Sequence, residues 1–348
     1  MAGRVAMGVL VVKVTEGCRG WLVRLISLTG SCGGRSRDNW LKILGTVMVL
    51  LNTLDIGRGD EGSRGKNFTS ALFLPSSGLL EGLQGWVSTS GFAMAVGIWW
   101  WMSKKDNIAP YGRHHTTAAA VISLPLTHVM LPTQLGWCLM ESPPLLLTPF
   151  LFSVGQYTSR TAPRMLVALF LAHYAHRCLL YPLRMRPSRT RNLPILVFLA
   201  ALVFNVYNTY IQVRSLSHYT EYSSTWLLSP QFILGAMLFF SGMLINISAD
   251  STLISLRKLG PSNSTSNSSR AYRVPHGGFF ELVSCPNYFG ELVEWLGWAI
   301  AASSLAGLVF FVLAVANLVP RAVAHHHWYV QNFKEYPRSR KILVPFIF

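Results

Sequence analysis

Seven stretches of this chain are apolar over lengths close to the roughly twenty residues that an α-helix needs to cross the hydrocarbon core of a bilayer. They lie at about 86–103, 135–155, 163–182, 192–213, 227–250, 283–301 and 303–321. Inside a bilayer every backbone polar group must find a partner within the chain, and helices provide those partners locally. The reading is therefore an all-α polytopic membrane protein of about seven transmembrane helices. Composition supports it: 51% of the 348 residues are hydrophobic, only 13% are charged and eleven are Trp, a balance foreign to soluble globular proteins.

Charge in the connections orients the helices. Loops after the first, third, fifth and seventh spans carry clusters such as Lys104, Lys105 and Arg113, or Arg321, Lys334, Arg338, Arg340 and Lys341. The alternate loops carry only Arg160, Arg164 and Arg214. By the positive-inside rule the C-terminus is expected in the cytosol. Lys and Arg outnumber Asp and Glu by 30 to 14, and in a membrane protein such an excess faces lipid phosphates or an anionic ligand. Because the basic residues are scattered between apolar spans, no nucleic-acid partner is expected.

Residues 1–85 form an extension of different character, mixing Gly, Ser and Arg around one short apolar run, Leu41 to Ile56. That run suits an interfacial helix, a targeting segment or a misassigned gene start, and no chemistry is assigned to it. The Ser/Asn stretch Gly260 to Arg270 has the composition of a flexible linker. Five cysteines show neither a CxxC pair nor a zinc-type spacing, so no metal site is expected. Neither a Rossmann glycine fingerprint nor a P-loop is present in the sequence.

Polar residues inside the apolar segments are the most informative. In FELVSCPNYFGELVEW, Asn287, Glu291 and Glu294 recur at i, i+4 and i+7, one face of a helix entering the membrane. Tyr174, Arg177 and Tyr181 share a face in the third span, with His173 and His176 alongside. Asn246, Asp250 and Arg257 fall close to one line in the fifth, and Arg321, His325 and Tyr329 are spaced by four at the end of the seventh. Asn208 and Gln212 stand one turn apart, and Glu141 sits at the mouth of an apolar run. Taken singly, an Asn or Gln of this kind hydrogen-bonds a neighbouring helix. Six helices with polar faces suggest a shared cavity for cofactor and substrate, and the arginines near the cytosolic ends suit a phosphorylated ligand.

These residues also carry a family resemblance. The segments YRVPHGGFFELVSCPNYFGELVEWLGWA and RAVAHHHWYVQNFKEYPRSRKILVPFIF resemble the steroid 5α-reductase (3-oxo-5α-steroid 4-dehydrogenase) family, as do APYGRH at Ala109, WCLMESP at Trp137, HYAHRCLLYPLRM at His173, NTYIQVRSLSHY at Asn208 and GMLINISAD at Gly242. The wording SCPNYFGE is closer to the plant branch, which acts in brassinosteroid synthesis. The resemblance spans about 109–348 and implies a multi-pass enzyme of the endoplasmic reticulum membrane, with 86–348 as the reductase domain and its family region at about 190–348. The implied reaction transfers hydride from NADPH to C5 of a 3-oxo-Δ4-steroid.

By the same resemblance, Tyr174 and Glu141 match the pair at the steroid C3 carbonyl. Asn246, Asp250, Arg257, Tyr272, Arg273, Asn287, Glu291, Glu294, Arg321, His325, Tyr329 and Arg340 match positions that hold NADPH or shape its pocket. Gly112 and His325 match positions linked to steroid binding. The related reductases of polyprenols and of trans-2-enoyl-CoA are the nearest alternatives, and a non-catalytic sterol- or lipid-binding membrane protein is the alternative of another class. The oligomeric state is left open by the sequence.

Overall fold

The computed structural model describes residues 94, 97, 129–185, 192–258 and 273–348. Apart from residues 94 and 97, both helical, the first expected span lies outside the described residues, as do the extension 1–85 and the linker Gly260 to Arg270. The chain runs β1 (Met130–Pro132), α1 (Thr133–Met140), α2 (Pro143–Ser153), α3 (Thr161–Ala175), α4 (Tyr181–Arg184), β2 (Asn192–Pro194), α5 (Ile195–Arg214), α6 (Pro230–Lys258), α7 (Pro286–Ala302) and α8 (Leu305–Asn332). Among the described residues, five helical stretches are long and apolar enough to cross a membrane: Thr133–Ser153, Thr161–Arg184, Ile195–Tyr219, Pro230–Leu256 and Leu305–Asn332. α7 is shorter, at 17 residues. Large apolar side chains such as Leu183 (80% exposed), Leu146 (71%), Val203 and Leu244 (67% each) stand out from these helices, as they do where lipid is the solvent.

Three departures from a plain helix count matter for the site. The expected second span is two helices, because α1 stops at Glu141 and Pro143 and Pro144 restart the chain as the first turn of α2. Glu141 is thereby held in a turn rather than on a helix face. Among the described residues there is also one short antiparallel pair, β1 with β2. Leu131 and Leu193 each precede a proline, which holds them extended and lets the two segments pair. Finally, α3 passes into α4 through a widened π turn, His176–Leu180. Pro182 lies just beyond and has no N–H to return to the preceding turn, and Arg177 is placed inside the irregularity.

α6 and α7 are antiparallel, as the order of their contacts shows: Gly235 faces Ala301, Gly242 faces Glu294 and Gly290 faces Asn246. At Gly242 and Gly290 the partner backbones come so close that a Cβ has no room; one built on Gly290 would lie 2.5 Å from the Asn246 nitrogen. Close approach through small residues is how helices associate where no hydrophobic force drives them together. α7 ends on Ser303 in the left-handed region (φ 42°), and Ser304 caps α8 by accepting from Gly307 N at 3.1 Å. These two serines separate the sixth and seventh expected spans. α8 then runs on to Asn332, so Arg321, His325 and Tyr329 all lie on one helix.

The C-terminal segment folds back on the start of α7. Ser284 N donates to Lys341 O and Lys341 N to Leu282 O, each at 2.9 Å. Leu343 and Phe348 pack with Cys285, Val319 and Ala322.

Candidate active site

Tyr174 lies near the end of α3 and is 3% exposed. Phe170 (ring centroids 4.8 Å apart) and Trp295 on α7 (6.3 Å) pack around its ring. Its hydroxyl stands between two amides of α5. It donates to Asn205 Oδ1 at 3.4 Å and accepts from Asn208 Nδ2 at 3.5 Å. Asn205 Nδ2 in turn donates to Met140 O at 2.7 Å and to Glu141 Oε2 at 3.2 Å. The structure thus brings Tyr174 and Glu141 together through Asn205. Sequence reasoning did not single out Asn205; the signal was its place one turn before Asn208 in NVYNTYIQVR.

Beside this group is a charged junction. Arg177 Nη1 donates to Asp250 Oδ2 at 3.1 Å, and Asn287 Nδ2 donates to Asp250 Oδ1 at 3.2 Å. Asn246 Nδ2 donates to the Asn287 carbonyl at 2.9 Å. The guanidinium lies over Trp137 (5.1 Å) and Tyr181 (4.8 Å), both favourable faces for a cation. Asn246, Asp250 and Asn287 are therefore one connected patch across the α6–α7 contact, and Glu291, a turn beyond Asn287, acts electrostatically on Arg177.

The third member of the α7 face turns elsewhere. Glu294 is 1% exposed, and its Oε1 lies 2.7 Å from His173 Nδ1 on α3. Its Oε2 is buried without a hydrogen-bond partner among the described residues, as is Nε of Arg273. The orphan acceptor lies on α7 two turns from Asn287, and a hydroxyl or amide of a dinucleotide is a donor that would satisfy it, so the α7 face fits such a ligand.

The remaining expected residues sit toward the C-terminal segment. His325 Nε2 lies 3.3 Å from the Tyr288 hydroxyl, and Tyr329 stacks on Tyr336 with the planes 6° apart. Arg340 is buried, donating to Pro275 O (2.8 Å), contacting His276 Nδ1 (3.1 Å) and pairing with Glu281 (3.2 Å). The Gly277 N–H, first, and Arg340 hold the Glu281 carboxyl below its usual range. Arg321 is half-buried on α8. Tyr272 and Gly112, and the side chain of Arg257, lie outside the described residues.

Residues 191–348 match the family model described as 3-oxo-5-alpha-steroid 4-dehydrogenase. The chain is also 42% identical over 244 residues to the steroid 5-alpha-reductase DET2 of Solanum lycopersicum, covering 69% of this chain and 88% of that protein. The chain belongs to the steroid 5α-reductase family. The Arabidopsis thaliana relative of the same name is 41% identical over 247 residues (69% of this chain, 88% of that protein). The human 3-oxo-5-alpha-steroid 4-dehydrogenase 1 is 39% identical over 261 residues (73% of this chain, 92% of that protein). Membership makes the chain an oxidoreductase of CH–CH bonds, and the resemblance read from the motifs is borne out by relatives from both plants and animals.

Proposed function

We propose that the chain reduces the Δ4 double bond of a 3-oxo steroid with NADPH, in the membrane of the endoplasmic reticulum with its C-terminus in the cytosol, and that Tyr174 and Glu141 face the steroid C3 oxygen. The observation that carries this reading is the cluster of buried Tyr174 and Asn205 with half-buried Glu141, beside the Arg177–Asp250–Asn287 junction. A conjugated enone accepts hydride at its β carbon only as negative charge shifts to the carbonyl oxygen. A preorganised donor aimed at that oxygen in a dry site contributes on the order of 3 to 4 kcal/mol. Tyr174 is such a donor, and Asn205 ties its hydroxyl to Glu141. When bound, NADPH supplies the hydride. Asn246, Asp250, Asn287, Glu291 and Glu294 offer one wall of acceptors and amide donors to it, and Arg257, Tyr272, Arg273, Arg321, His325, Tyr329 and Arg340 are assigned to the rest of its pocket. Gly112 and His325 are assigned to the steroid side. Phe170 and Trp295 pack around Tyr174, with Trp298 behind Phe170, and keep water from it.

Membranes containing the protein, given NADPH and progesterone or a campestenone-type steroid, should yield the 5α-reduced product. Folded protein that binds NADPH and yields none refutes the reading. Tyr174→Phe should lower turnover about a hundredfold or more while NADPH affinity stays near wild type, as expected on losing one transition-state donor.

A further inference from the structure

The direction of every hydrogen bond around Tyr174 is set by neighbours that act in one sense only. An indole N–H only donates and a backbone carbonyl only accepts. Trp298 Nε1 on α7 lies 2.9 Å from Gln212 Oε1, and Gln212 Nε2 lies 2.8 Å from Ala306 O on α8. Both constraints turn the Gln212 amide the same way, so its Nε2 also donates to Asn208 Oδ1 at 3.2 Å. Asn208 is left with Nδ2 aimed at the Tyr174 oxygen, 3.5 Å away. On the other side Met140 O claims Asn205 Nδ2, which leaves Asn205 Oδ1 toward the phenol. The usual ambiguity between amide oxygen and nitrogen is removed by chemistry at both ends. Gln212 and Asn208 are each 1% exposed and Trp298 is fully buried, so no water substitutes for these partners.

We propose that Trp298, Gln212 and Asn208 form a one-way relay that makes the Tyr174 oxygen accept from the protein, so that its single proton is kept for a ligand oxygen. The relay rests on the reading of Tyr174 as the donor to the steroid carbonyl. These three are positioning residues. The Tyr174 proton rests on the neutral Asn205 Oδ1, and a ligand oxygen gathering negative charge is the stronger acceptor that takes it over. As charge grows on the substrate oxygen it is shared with the phenol oxygen, where the Asn208 N–H supports it. Packing alone requires that these groups be satisfied, not that all of them point one way.

Asn208→Asp exchanges the NH₂ for oxygen with little change of shape. Protonated, the new carboxyl donates to Tyr174 as the amide did; ionised, it accepts the Tyr174 proton and withholds it. The kcat of the variant should therefore fall as pH rises through the titration of that carboxyl and recover at low pH, with an NADPH Kd near wild type. Glu141, Arg177 and Glu291 act on Tyr174, and the His173 ring lies 5.0 Å from it. All are common to both proteins, so the new limb is read as the difference between the two profiles. A wild-type kcat and pH profile, or parallel loss of kcat and NADPH binding at every pH, overturns the relay. Should Asn208→Asp not fold, Trp298→Phe removes the indole donor and keeps a packed ring. Its kcat should drop about two- to tenfold, the size of one net hydrogen bond, at unchanged NADPH Kd; wild-type kcat overturns the relay. Tyr174→Phe in the same assay separates the two readings. Wild-type turnover there defeats the functional reading itself, whereas loss there with unaltered Asn208→Asp and Trp298→Phe defeats the relay alone.

Discussion

Two arginine–carboxylate pairs of nearly equal length join distant parts of the chain, and they differ in what surrounds them. Arg177 and Asp250 are 3.1 Å apart, with side chains 12% and 6% exposed. Arg340 and Glu281 are 3.2 Å apart, but Glu281 is 51% exposed while the Arg340 side chain is fully buried. In the first pair both charges have left water, and the carboxylate is shared with Asn287, on a helix that contributes the rest of the polar wall. In the second the arginine is taken up by a loop carbonyl, a histidine and a solvated carboxylate, and it fastens the C-terminal segment. A similar bond thus serves a polar site in one place and a latch in the other, and burial of the acid distinguishes them.

The sharpest way to break that contrast is to remove one partner of the buried pair. Asp250→Ala leaves the Arg177 charge uncompensated and should cost about 3 to 5 kcal/mol, read as a large drop in the unfolding midpoint in detergent. Next comes the helix contact behind that pair: Gly290→Ala should cost about 1 to 3 kcal/mol by overpacking, and it should weaken NADPH binding because Asn246 is the residue displaced. On the latch side, Tyr336→Phe deletes the donor that meets Ser284 Oγ at 2.7 Å and should cost about 1 kcal/mol. NADPH affinity should fall with it, because Tyr336 stacks on Tyr329 and lies under Arg340, both assigned to the pocket; unchanged affinity would separate the latch from the site. The smallest effect is expected at Glu281. Its carboxyl titrates lower in the folded protein than in the unfolded chain, so its contribution is present above the usual carboxylate range and is lost as pH falls through the folded value. Glu281→Gln should flatten the fall in unfolding midpoint below about pH 4.5, and an unchanged acid slope would show that the solvated pair contributes nothing measurable.

Spacing made much of this legible. Asn246 and Asp250 meet Asn287, as their helical lines suggested, because i, i+4 patterns survive wherever the helix is regular. Periodicity failed where the backbone leaves its ideal path. The π turn at His176–Leu180, the turn holding Glu141 and the strand pair before α1 and α5 depend on prolines and on contacts far along the chain. Gln212 bonds neighbouring helices, as a lone intramembrane amide should, yet its partner Asn208 touches Tyr174. No local pattern distinguishes those two roles. Asn205 and His173 were visible only as polar residues near others, since their partners Glu141 and Glu294 lie 64 and 121 positions away.

The bare backbone contact at Gly242 and Gly290 has a consequence for how such a site diversifies. With no side chain at Gly242 or Gly290 to hold α6 and α7 apart, the register of Asn246 and Asp250 against Asn287 is set there by main-chain atoms. A larger residue at either glycine displaces the whole wall at once, so its members cannot drift independently. New ligand preferences are therefore more accessible through residues around Tyr174, whose neighbours are side chains that can be exchanged one at a time.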